Sequence, residues 1–97
     1  MENWSYIKDT FLTAGITEEG LPFFEHKLQG WNDDKSSNNK EDIVVVQAII
    51  YDEGAEVLLR NIYISEEAMN DPLIRQKGEE IEQNVLQEVN LWLHGAN

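Results

Sequence analysis

His26, His94 and nineteen carboxylates are the first side chains to weigh for chemistry in this 97-residue chain, because acid–base work and metal binding draw on these types. The absence of cysteine excludes thiolate nucleophiles, thiolate zinc sites and disulfides. A hydrolytic or transfer site needs a nucleophile beside a base, a pair of carboxylates, or a metal. His94 falls at the end of an expected helix, where a histidine serves the last carbonyls. His26 sits between Glu25 and Lys27 in an expected strand, alternates with Phe24 and Leu28 toward the interior, and reads as a hydrogen-bonded core histidine. Asp33, Asp34, Glu41 and Asp42 surround a polar stretch, but their spacing lacks the ligand rhythm and closing glutamate of a calcium loop, and Lys35 and Lys40 oppose a cation. The six glycines form neither a dinucleotide fingerprint nor a phosphate loop. The reading is a non-enzymatic chain with no catalytic residues, no metal and no cofactor.

Charge narrows the partners. Seven Lys and Arg against nineteen Asp and Glu give a net charge of -12, which repels phosphate backbones, so direct nucleic-acid binding is not expected. The same charge disfavours anionic lipid surfaces, and the longest apolar run, Ile43 to Tyr51, is far shorter than the ~20 residues of a spanning helix. The opening Met-Glu-Asn-Trp has no basic region of the secretory kind, which makes the cytoplasm the expected location. The acids concentrate in the second half, with -4 over residues 41–64 and -5 over residues 65–97. Glu66, Glu67, Asp71, Glu79, Glu80 and Glu82 therefore form a candidate partner-binding surface for a basic protein, as an inhibitor or adaptor. A carboxylate array also stands in for phosphates, so a phage-type DNA mimic that inhibits a nucleic-acid enzyme is a special case of this reading. A solvated helix face is the plainer account of such pairs as Glu79 with Glu82.

These residues must be positioned by local elements. At 97 residues with 41% apolar side chains, the chain is expected to form one domain spanning residues 1–97. Trp4, Ile7, Phe11 and Ala14 recur at steps of three and four and predict a short N-terminal helix ended by Gly15. Thr17 to Gly20 reads as a turn, and Phe23 to Trp31 as a first strand. Residues 32–42 contain no apolar side chain and predict a mobile polar loop. Ile43 to Asp52 and Glu56 to Ile64 predict a hairpin around Glu53-Gly54. Ser65 suits a first helical cap, and Asp71 before Pro72 a second, opening a helix carried to His94. Gly78 on the stripe of that helix predicts a close approach to the sheet. The predicted fold is α+β, a three-stranded antiparallel sheet with an N-terminal and a longer C-terminal helix, in the order α-β-β-β-α.

A two-residue loop at Glu53-Gly54 sets the hairpin register, with Ile50 opposite Val57, Ala48 opposite Leu59 and Val44 opposite Tyr63 on a core face. The other face then carries Val45, Ile49, Tyr51, Leu58, Ile62 and Ile64, interrupted by Gln47 facing Arg60. An antiparallel sheet with one face in water should alternate, so this face is expected to be covered, by a helix or by another chain. Val45, Ile49, Tyr51, Leu58 and Ile62, with Leu91 off the main stripe of the last helix, form a second candidate interface. It suits a homodimer or a chaperone-like structural protein.

Overall fold

Two long strands with strict alternation organise the molecule. The computed structural model describes residues 4–6, 12–32 and 40–95. Strand β3 (Pro22–Asn32) and strand β4 (Glu41–Tyr51) pair antiparallel, and β4 in turn pairs with β5 (Glu56–Tyr63). On β3 the side chains of Phe24, His26 and Leu28 are buried, and on β4 those of Val44, Val46, Ala48 and Ile50, so one face of the sheet is the core face. The register shifts between Leu28 and Gln29, where Leu28 pairs with Val44 but Gln29 with Asp42. Ile43 is the additional residue, and both Ile43 and Val44 are fully buried, as a bulge that re-aims one side chain permits.

The hairpin between β4 and β5 has the expected register throughout, including Ile50 with Val57, Ala48 with Leu59 and Val44 with Tyr63. Its turn is of the type I′ kind. Glu53 and Gly54 have φ of 55° and 106°, and the Ala55 N–H donates to the Asp52 carbonyl at 3.1 Å. Asp52 also takes a positive φ of 49°, so the departure from the strand starts one residue before the turn.

The N-terminal segment corrects the predicted helix. Residues Trp4–Tyr6 form strand β1 and Leu12–Ile16 form strand β2, and both pair antiparallel with the edge of β3 that β4 does not use. Trp4 pairs with Asn32 and Tyr6 with Gly30, while Leu12 pairs with His26 and Ile16 with Pro22. Ile7 and Phe11 of the predicted stripe lie outside the described residues. Gly15, expected to end a helix, lies within β2, opposite Phe23. The physical reason is strand pairing. An eleven-residue strand leaves a row of unpaired backbone groups along its edge, and pairing them satisfies more polar groups than a short amphipathic helix would. The predicted turn does form, but it joins two strands: Gly20 donates to the Thr17 carbonyl, and the Thr17 hydroxyl accepts from the Leu21 N–H at 3.1 Å. The sheet thus has five strand segments in four positions, with β1 and β2 sharing an edge.

The predicted loop at 32–42 is also shortened. Asn32 belongs to β3, Glu41 and Asp42 to β4, and residues 33–39, with Asp33 and Asp34, lie outside the described residues.

After β5 the chain makes a one-turn helix α1 (Glu66–Asn70) and then helix α2 (Pro72–Leu93). Both predicted caps are present. Ser65 Oγ accepts from the Ala68 N–H at 3.1 Å, and Asp71 Oδ1 accepts from Leu73 and Ile74 at 2.9 and 3.2 Å. At the far end His94 is the C-cap and Gly95 takes φ of 60°. The 22 residues of α2 span about 33 Å and β4 about 36 Å, so one helix runs the length of the sheet. Ile74, Gly78, Ile81, Val85 and Val89 form its buried stripe against the core face. No described helix is long and apolar enough to cross a membrane.

Gly78 answers the expected close approach. A Cβ there would stand 2.5 Å from Tyr63 Oη and 3.2 Å from Tyr63 Cζ, so the glycine makes room for a tyrosine of β5. Burial pushes the Tyr63 phenol above its ordinary pKa.

Candidate functional site

The opposite face of the sheet has no cover among the described residues, because the segment expected to supply a second helix is edge strand instead. Rows of side chains cross it from strand to strand. Phe23, Ile49 and Leu58 form an apolar row, and Lys27, Val45 and Ile62 a second row in which one member is a cation. Between them runs a polar row of Thr13, Glu25, Gln47 and Arg60. Leu58, Ile62 and Ile64 are 42, 44 and 40% exposed, whereas Val45, Ile49 and Tyr51 are half-buried by their neighbours. Val45, Ile49, Tyr51, Leu58 and Ile62 therefore share one surface, as the register required.

The polar row is tied together. The Arg60 guanidinium donates to Gln47 Oε1 at 2.7 Å, and Gln47 Nε2 donates to Glu25 Oε2 at 2.7 Å. Lys27 Nζ lies 3.6 Å from Glu25 Oε1 and 3.6 Å from Asp42 Oδ2, and Gln29 Nε2 donates to Asp42 Oδ1 at 2.7 Å. This chain of contacts spans β3, β4 and β5. It holds long side chains flat on the sheet and partners most of the face's charges within the face. The only predicted element of it was Gln47 opposite Arg60. Glu25 and Lys27 were legible as neighbours in sequence, but Asp42 enters through the bulge, which has no local sequence signal.

Leu91 is not part of this surface. It lies on α2, on the other side of the sheet, where Leu91, Trp92 and Leu93 are 46, 43 and 36% exposed at the helix end.

The predicted acidic surface is only partly assembled. Asp71 is spent on the cap of α2, Glu80 Oε2 lies 3.4 Å from Lys77 Nζ, and Glu82 Oε1 accepts from Asn61 at 2.9 Å. Glu66, Glu67 and Glu79 are exposed. These acids lie on α1 and α2, the layer opposite the open face.

His26 faces the core at 5% exposure, and neither ring nitrogen has a hydrogen-bond partner among the described residues. It was expected to be buried, but not without a partner. Burial pushes its pKa below the ordinary histidine range, so the ring is neutral. Glu25 and Lys27 flank it in sequence but project to the open face, so neither can serve it as a catalytic partner. Among the described residues no three His, Asp or Glu side chains converge to hold a metal ion.

No family model matches the chain, and comparison with curated proteins and with solved structures gave no significant match.

Proposed function

We propose that the chain is a non-catalytic protein-interaction module whose binding surface is the open face of the sheet. The observation that carries this reading is the set Leu58, Ile62 and Ile64, each exposed by 40% or more on one face of a sheet whose other face is sealed by α2. Apolar side chains on a flat, ordered, strand-built surface gain free energy only when something covers them. The polar row through their midst gives such a surface orientation as well as affinity.

A second reading takes the acidic helix layer as the contact. It is favoured by the -5 carried by residues 65–97, and it suits an inhibitor or adaptor for a basic protein, a DNA mimic included. The two readings separate in one pull-down from nuclease-treated cytosol, with bait carrying either Ile49→Asp and Leu58→Asp, or Glu66→Lys and Glu79→Lys. Salt-resistant binding lost only with the first pair supports the open face, and salt-released binding lost only with the second supports the acids. Capture unaffected by Ile49→Asp and Leu58→Asp refutes the proposal.

A further inference from the structure

We infer that the occupant of the open face is the same face of a second copy, the two sheets packing about a two-fold axis parallel to β4. This rests on the reading of that face as the binding surface and adds what binds there.

Charge is the first argument. Two copies of a chain of net charge -12 repel each other over most of their surfaces. Among the described residues of the open face, Glu25, Asp42 and Glu56 stand against Lys27 and Arg60, a net of -1. Four of these five charges lie in the hydrogen-bonded and ion-paired chain across the strands. The like charge that two such faces oppose is small beside that of the whole chain.

Symmetry is the second. β4 is the middle of the three long strands, with β3 on one side and β5 on the other. Rotation about an axis along β4 lays β3 of one copy over β5 of the other while keeping each row on itself. Glu25 on β3 and Arg60 on β5 share a row, on either side of Gln47. The rotation therefore sets Glu25 of each copy against Arg60 of the other. In the neighbouring row Phe23 meets Leu58, and Ile49 meets its own counterpart. These two rows pair acid with base and apolar with apolar, as a self-complementary interface requires, whereas Lys27 faces Ile62 and Asp42 nears its own counterpart; sheets commonly pack with their strands nearly aligned.

Area is the third. Eleven residues of β4 at about 3.3 Å each, and the three strand positions that this axis overlays at about 4.8 Å, make a face of roughly 36 by 14 Å. Two such faces bury about 1,000 Å² in total, at the low end for a specific interface, as suits a weak dimer.

The test is sedimentation equilibrium of the full chain at high micromolar concentration. The wild type is expected at twice the 11.2 kDa chain mass. Glu25→Arg and Arg60→Glu each set like charges face to face and should weaken the dimer roughly 100-fold. An equimolar mixture of the two variants should recover the dimer, because every introduced charge then faces its opposite. Ile49→Asp should give a monomer that mixing does not rescue. Circular dichroism of each variant confirms the fold, and the mixing result stands on the two charge variants alone. Single variants that dimerise like the wild type, or a mixture that stays monomeric, overturn the inference. A wild type at 11.2 kDa at every concentration overturns self-pairing alone, since the open-face reading is then judged by the capture experiment with Ile49→Asp and Leu58→Asp.

Discussion

Replacing Gly78 by alanine sets two opposed effects against each other, and the structure decides the sign. Alanine in a helix interior is favoured over glycine by about 1 kcal/mol. Its Cβ, however, would stand 2.5 Å from Tyr63 Oη, roughly 0.9 Å inside ordinary contact. The half-buried ring must pivot, and overpacking of this kind costs about 1–3 kcal/mol. The expected net for Gly78→Ala is a loss of about 1 kcal/mol, read as a fall of about 4–8 °C in Tm for a chain of this size. In a Tyr63→Phe background the hydroxyl is gone and the nearest remaining atom is Cζ at 3.2 Å, which needs a shift of only a few tenths of an ångström. There the helix term should prevail, making the same substitution neutral or stabilising by up to about 1 kcal/mol. The coupling between the sites is thus about 1–2 kcal/mol, measurable from urea unfolding of wild type, both single variants and the double variant. An equal loss from Gly78→Ala in both backgrounds would refute the assignment of the glycine to Tyr63.

Three further outcomes are expected. Glu53 holds a left-handed conformation in a type I′ turn, so Glu53→Asn should raise stability by about 1 kcal/mol in denaturant unfolding, and an unchanged midpoint would count against strain at this residue. Asp71→Ala should lower stability by about 1 kcal/mol through loss of the α2 cap while Asp71→Asn retains most of it, and equal losses would show that the negative charge matters more than the acceptor. His26 has a folded-state pKa below its unfolded value near 6.5, so the unfolded chain binds more protons as pH falls through this window. The contribution of the neutral ring is complete above about pH 6.5 and is lost as pH falls toward the folded pKa. Unfolding measured at about pH 7.5 and about pH 5.5 should show a larger acid loss for wild type than for His26→Leu, and parallel losses would remove His26 as the cause.

The clearest divergence between sequence and structure lies at the N-terminus. Trp4, Ile7, Phe11 and Ala14 have the period of a helix. What competes is the edge of β3, which the turn at Thr17 folds back against this segment, and its backbone groups pair with Leu12–Ile16 as a strand. Helical periodicity over so short a segment is a weak local preference that non-local pairing overrides. His26 shows the same limit at a single side chain. Its inward direction follows from strand alternation, but the absence of a partner depends on which groups other elements bring near it.

Local chemistry determined the hairpin register, the turn at Thr17, both helix caps and the buried stripe of α2, because each rests on residues within a few positions of one another. The open face followed from the register, since a period of two leaves no freedom in which side chains share a surface. Whether that face is covered was decided by tertiary structure alone. A second helix was predicted from a segment of which Trp4–Tyr6 and Leu12–Ile16 are edge strand, and the bulge at Ile43 brought Asp42 to the polar network from a stretch that reads as loop. Caps, turns and alternation are encoded by neighbours in sequence, whereas strand pairing and surface exposure depend on backbone groups that become neighbours only in the fold.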